Sequence, residues 1–213
     1  VDAETIGGGG DHRRGGALDG DRIAERHVAK VKPAGRHGQA HAGAFAQLVD
    51  WLVEAYTAGR TVFIVGNGGS AANASHLCED LGKGTLTDFA AQRRLRVISL
   101  TDNVPYILAW ANDLSFEDVF AQQLRSLAAP GDLLLAISGS GNSPNVLRAV
   151  EYARTVGVRT FAATGFDGGR LRGLADGVLH VPVNDMGVAE AVHGIYFHLL
   201  VDVLRGRFRE VSP

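Results

Sequence analysis

The sequence predicts an α/β protein: a doubly wound three-layer sandwich on a five-stranded parallel sheet. Three observations carry that prediction. Short apolar runs without polar alternation recur along the chain, the pattern of strands covered on both faces. Helix-period segments lie between them, so strands are joined by crossovers rather than hairpins. Two of the runs end in glycine- and serine-rich turns that open helices, as turns at the carboxyl edge of such a sheet do.

Residues 1–43 read as a flexible Gly-rich segment, and residues 44–213 as the domain. GGGG, RRGG and AGRHGQAHAG fall in the first part, and the chain's 28 glycines are about 13%, against a usual ~7%. A short helical signal over Asp21–Val31 is bounded by Gly20 and Pro33. His12, His27, His37 and His41 share no helical face and read as solvated side chains rather than as a metal site.

The periodic part begins with an amphipathic helix over Ala44–Ala58, where Phe45, Leu48, Trp51 and Leu52 recur at three- to four-residue spacing and Gly59 ends the run. Thr61–Val65 is the first strand, followed by a helix over Ser70–Leu81. Further strands are expected at Leu95–Leu100, Asp132–Ile137, Arg159–Ala163 and Gly177–Val181. Helical patterns cover Phe116–Ala128, Pro144–Thr155, Leu171–Ala175 and Val188–Phe208.

Charge and cysteine usage narrow the function class. Lys and Arg total 21 against 23 Asp and Glu, a net charge of −2, so no global field draws the chain to nucleic acid or an acidic membrane. No unbroken apolar run approaches the roughly 18–20 residues of a membrane span, and the first residues lack the apolar core of a signal peptide. The single Cys78 cannot form an internal disulfide and excludes Cys-only zinc sites. The expectation is a cytoplasmic, soluble protein with no direct nucleic-acid partner and no membrane segment.

The chemistry sits in the strand-to-helix turns. Gly66-Asn67-Gly68-Gly69-Ser70 lets the backbone approach an anion, with exposed N–H groups and a helix dipole favouring negative charge. It lacks the Gly-Lys-Ser/Thr of a P-loop and the spacing of a dinucleotide fingerprint. Ser138-Gly139-Ser140-Gly141-Asn142-Ser143 brings three hydroxyls to another helix start with no basic residue. Ser143 has a structural reading as an N-cap. Together the two turns suit a phosphate monoester held without Lys or Arg.

GNGGSAANASH, then LTDN, then AISGSGNS resembles the sugar isomerase (SIS) domain. More narrowly it resembles the phosphoheptose isomerases, which act on sedoheptulose 7-phosphate, and the related DnaA-initiator-associating protein. The resemblance runs from about Ala44 to Phe208 and implies a flavodoxin-like SIS fold. It assigns Ser138, Gly139, Ser140 and Ser143 to the phosphate, and Asn67, Gly68, Gly69, Ser70, Thr101, Asp102 and Glu190 to the sugar.

Moving a proton between neighbouring carbons needs a base, an acid and a stabiliser for the oxyanion. His76 and Asp80, at i and i+4, share a helix face, and Glu190, His193 and His198 lie on the last helix. His76, Asp80, Glu190 and His198 are zinc-compatible donors. The resemblance places a metal, zinc, on these four and the acid/base roles on Asp80 and His198. The chain departs from the family pattern in having Asp80 for glutamate, Glu190 for glutamine and Gly187 for aspartate. Glu190 and His198 are also about 12 Å apart along a straight helix, so one ion reaches both only if the helix starts late or bends, if side chains lean inward, or if another subunit supplies one of them. His193 reads more simply as a buried helix-interface histidine, and His198 among Phe197, Leu199 and Leu200 has a core reading too.

Two function classes fit. One is an aldose–ketose isomerase taking sedoheptulose 7-phosphate to D-glycero-D-manno-heptose 7-phosphate, or acting on a similar sugar phosphate. The other is a non-catalytic sugar-phosphate-binding regulator like the DnaA-associating relative. Retention of the acid and of the last-helix histidine favours the enzyme. The resemblance further implies a homotetramer with sites at subunit contacts, consistent with the apolar last helix (Ile195, Phe197, Leu199, Leu200, Val203, Leu204).

Overall fold

A computed structural model describes residues 35–211. Helix α1 spans Gly35–Ala58 and is followed by β1 (Thr61–Val65), α2 (Gly69–Glu79) and a π-helical turn over Asp80–Gly84. After β2 (Arg96–Ser99) come α3 (Val104–Asp113) and α4 (Val119–Leu127). The chain then alternates: β3 (Leu133–Ser138), α5 (Pro144–Thr155), β4 (Arg159–Thr164), α6 (Leu171–Leu174), β5 (Gly177–His180) and α7 (Met186–Val211).

The five strands are parallel in the order β2-β1-β3-β4-β5, with Val62 opposite Val97 on one side and Leu133 on the other. Strand order reverses between β1 and β3, and a doubly wound sheet opens a ligand crevice at the carboxyl ends of such a pair. Alternate residues of each strand feed two cores. Val62, Ile64, Leu133, Leu135 and Ile137 meet Leu52 of α1, Leu77 of α2 and Leu200 and Leu204 of α7. Phe63, Val65, Leu134 and Ala136 meet Phe120 and Leu124 of α4 and Val146 and Val150 of α5. Helices thus cover both faces, the predicted three layers.

Several boundaries differ from the sequence reading. Helix α1 starts at Gly35, so the expected junction at residues 43/44 falls inside a helix. The Asp21–Val31 signal, His12 and His27 lie outside the described residues. His41 is not simply solvated: its Nδ1 is 3.0 Å from the Tyr196 hydroxyl on α7. Strand β2 was expected to be buried on both faces, yet it is one of the two sheet edges and leaves Ile98 40% exposed. Helix α3 went unseen because apolar residues stand on both its sides, Ile107, Trp110 and Ala111 against the core and Val104 and Leu108 exposed, although its start is well marked by Pro105 in the first turn and by Asn103, whose side chain accepts from Tyr106 N at 3.2 Å. Helix α7, at 26 residues, is long and apolar enough by length and composition to cross a membrane, although no unbroken apolar run in it is that long. Its inner face, including Val188, Val192, Phe197, Leu200, Leu204 and Phe208, is part of the domain core.

Candidate active site

The first turn connects β1 to α2 at the switch point. A Cβ on Gly69 would overlap the Glu190 carboxylate, which comes over this turn from the first part of α7. Only glycine leaves that space. Glu190 Oε1 lies 3.5 Å from Ser70 Oγ, and its backbone carbonyl accepts from Asn73 Nδ2 at 3.0 Å. Ser70 is buried, whereas Gly68 and Gly69 are exposed.

The second turn connects β3 to α5. Gly141 has φ 66°, and a Cβ there would strike the Gly168 carbonyl, so this bend requires glycine. Ser138 Oγ accepts from Gly141 N at 3.1 Å and lies 3.3 Å from Ser143 Oγ, while Ser140 Oγ accepts from Asn142 N at 3.2 Å. Ser143 occupies the N-cap position of α5, but its side chain makes no capping hydrogen bond. Its hydroxyl is therefore not committed to the helix start. Hydroxyls and amide groups at this helix start form an anion-favouring cup with no cationic side chain among residues 138–143. The Met186 side chain lies against Gly139.

A reciprocal amide pair joins the turns. Asn67 Nδ2 donates to Asn145 Oδ1 at 2.8 Å, and Asn145 Nδ2 donates to Asn67 Oδ1 at 3.0 Å. Asn145 is buried on the first turn of α5. The sequence reading missed it; its signal was an Asn two residues beyond the serine cup, where an exposed helix would carry no buried amide.

The third predicted segment, Thr101–Asp102, follows β2 and is stitched to α2. Ser75 Oγ donates to Asp102 Oδ1 in a short contact and lies 3.1 Å from Thr101 Oγ1, which is 2.6 Å from Ser99 Oγ. Ser75 and Ser99 were also missed. Cys78 is on the same helix, and burial, reinforced by the Asp102 charge, raises its thiol pKa against an opposing backbone hydrogen bond from Ser99. A thiol held protonated is poorly suited to act as a nucleophile.

His76, Asp80 and His198 come together from two separate helical segments. Asp80 Oδ2 lies 3.5 Å from His76 Nε2 and 3.5 Å from His198 Nδ1. The two rings meet edge to face with centroids 5.0 Å apart. One donor atom from each residue falls within 4.8 Å of the others. Asp80 sits where α2 gives way to the π turn, and the extra residue in that turn alters the register beyond it. Two imidazoles and a carboxylate oxygen, with both rings more than half exposed, match a three-ligand divalent metal site with an open coordination position. These three residues can hold a metal. Glu190, the fourth expected ligand, stands apart from the group: two helical turns up α7, its carboxylate turns to Gly69 and Ser70 instead.

His193 takes the structural role. It is fully buried, Nε2 lies 3.2 Å from the Thr164 carbonyl, and Nδ1 has no partner among the described residues. Burial pushes its pKa down to about 4, partly opposed by the Thr164 hydrogen bond. It stays neutral at pH 7.

Residues 28–165 match the SIS domain family. The chain is 38% identical over 160 residues to the phosphoheptose isomerase of Trichlorobacter lovleyi, covering 75% of this chain and 80% of that one. It is 42% identical over 151 residues to the phosphoheptose isomerase of Mycobacterium tuberculosis, covering 71% and 76%. Among solved structures, a phosphoheptose isomerase from Francisella tularensis superposes with TM-score 0.77 at 30% identity, covering 88% of this chain and 97% of that one. The phosphoheptose isomerase of Neisseria gonorrhoeae gives the same TM-score at 27% identity, covering 87% and 97%.

Proposed function

This chain belongs to the phosphoheptose isomerase branch of the SIS-domain family, and we propose that it interconverts sedoheptulose 7-phosphate and D-glycero-D-manno-heptose 7-phosphate, or a closely similar sugar phosphate. The observation that carries this reading is the convergence of His76, Asp80 and His198 beside the helix that opens at the first glycine turn. A purely binding protein needs the two cups but not this group.

In the proposed complex the phosphate sits at Ser138, Gly139, Ser140 and Ser143, held by hydroxyls and amide N–H groups. Asn67, Gly68, Gly69, Ser70, Thr101, Asp102 and Glu190 face the open-chain sugar. Asp80 takes a proton from C1 of the ketose. The C1–H electrons form the C1=C2 double bond as O2 gains a proton, giving the enediol. Return of a proton to C2 and loss of the O1 proton yields the aldose, with His198 moving the hydroxyl protons. The same three residues, His76, Asp80 and His198, would hold zinc in place of carrying protons at those donor atoms, and the ion would then supply Lewis-acid stabilisation of the developing oxyanion. The donor set supports a divalent ion of this kind.

A homotetramer in the cytoplasm completes the proposal. The outward stripe of Ile195, Leu199 and Val203 on α7, 56, 50 and 42% exposed, supports a subunit contact, and His198 lies on this same outer face. The single cysteine suits a reducing compartment.

The test is solvent deuterium incorporation into sedoheptulose 7-phosphate, with and without added zinc. Wild type exchanges; Asp80→Asn and His198→Ala each abolish exchange while circular dichroism stays native. Undiminished exchange in both variants would remove the acid/base assignment. Absence of exchange in wild type with heptose, hexose and pentose phosphates would make the chain a binding protein.

A further inference from the structure

The two glycine-rich turns at the switch point look alike in sequence, yet they differ in charge. Both end strands that pair side by side, and both open helices of more than eight residues whose N–H groups favour anions. The hydrogen bonds described within the turn at Ser138–Ser143 run between hydroxyl and backbone amide groups. The turn at Gly66–Ser70 is already covered by a carboxylate. Glu190 lies over Gly69, in the space a Cβ would take, with Oε1 3.5 Å from Ser70 Oγ. Its backbone is tied to the same helix through Asn73, and no Lys or Arg is paired with its carboxylate among the described residues.

We propose that Glu190 is a specificity-determining residue: its carboxylate takes the anion-favouring place at the first turn, admits only the uncharged, hydroxyl-bearing end of the sugar there, and rejects substrates phosphorylated at both ends. The proposal rests on the reading that the substrate's single phosphate is held by the Ser138–Ser143 cup. A sugar phosphate could otherwise bind in either direction across two similar helix starts. Glu190 adds a charge bias against the reversed direction, beyond what the neutral glutamine of the family pattern supplies. Sugar hydroxyls donate hydrogen bonds to a carboxylate, whereas a second phosphate would set like charge against like beside the low-dielectric floor made by Ser70 and the buried β1 end. Exclusion then acts through charge: Gly68 and Gly69 are solvent-exposed, and a second phosphate reaching them would meet the Glu190 carboxylate.

The experiment is calorimetric titration of the full-length chain at fixed ionic strength with sedoheptulose 7-phosphate and with sedoheptulose 1,7-bisphosphate. Wild type is expected to bind the monophosphate at least about tenfold more tightly than the bisphosphate. Glu190→Gln keeps the side chain's shape and removes its charge, and should bring the two affinities to within about threefold. Equal binding of both ligands by wild type overturns the proposal while leaving the proposed function standing. So does a wild-type ratio retained by Glu190→Gln. Loss of both ligands in Glu190→Gln would show that the carboxylate serves only to hold the sugar and not to exclude a second phosphate, and would also overturn it. Binding of neither ligand by wild type would instead overturn the proposed function on which the inference rests.

Discussion

Replacing Asn145 by alanine tests whether the two turns act as one site. The side chain is buried, and it exchanges two hydrogen bonds with Asn67, at 2.8 and 3.0 Å. Each bond is worth about 1 kcal/mol net, and truncation strands the facing Asn67 amide at a further cost of about 1 kcal/mol. The expected loss is therefore about 2–3 kcal/mol. For a domain of this size that lowers Tm by roughly 5–10 °C. Asn67→Ala should cost at least as much, because the amide it strands is that of Asn145, which is buried from water. The decisive quantity is the double-mutant cycle. Urea unfolding of both single variants and the double variant should give a coupling energy of about 1–2 kcal/mol, since the second truncation has no partner left to strand. Single effects that add to within about 0.3–0.5 kcal/mol would show that the pair joins nothing. In the Asn145→Ala variant, kcat should also fall: a displacement near 1 Å between cup and acid/base group costs about a hundredfold.

Other expected outcomes are as direct. His193 has its folded pKa depressed from 6.5 to about 4 by burial, so the unfolded chain takes the proton first as pH falls. Stability is then fully present above pH 6.5 and declines towards pH 4, by roughly 3 kcal/mol at most. Urea midpoints across that range should flatten in His193→Leu; an unchanged slope would dismiss His193 as the source. Zinc should raise the Tm of wild type, whereas His76→Ala should lose that response, because a ligand stabilises only the state that binds it; competition with a chromophoric chelator gives the affinity directly. Gly141→Ala puts a Cβ against the Gly168 carbonyl at a φ of 66° and should destabilise by about 2 kcal/mol or more, with phosphate-ester binding lost, as read by thermal melts and calorimetry. Ser143→Ala should raise KM several-fold and leave Tm within about 1–2 °C, since its hydroxyl makes no capping bond; a large Tm drop would show that it holds the helix.

How much was legible varied with how local each signal is. Buried strands such as Leu133–Ser138 and the turns that follow them were readable because an apolar run and a glycine at a special bend are written in consecutive residues. The α3 helix was not, because its outward side is apolar as well as the side that Ile107, Trp110 and Ala111 turn to the core, leaving Val104 and Leu108 exposed. Asn145 and Ser75 escaped for a different reason: each matters through a partner far along the chain, 78 and 26 positions away, and Ser99 matters only through Thr101, which Ser75 also meets. The π turn that begins at Asp80 was equally invisible, yet it sets the register of the residues that follow.

Residue order alone determined the layered α/β class, the parallel sheet and the chemical character of the two cups, since apolar periodicity and glycine conformational freedom are short-range properties. Tertiary structure decided which donors meet. It brought His198 to Asp80 across a gap of more than a hundred residues and sent Glu190, eight positions from His198, to the glycine turn. Residues eight apart on a helix lie about 12 Å apart along its axis, so two side chains that look like one ligand set in sequence serve two different places once the helix is laid across the sheet.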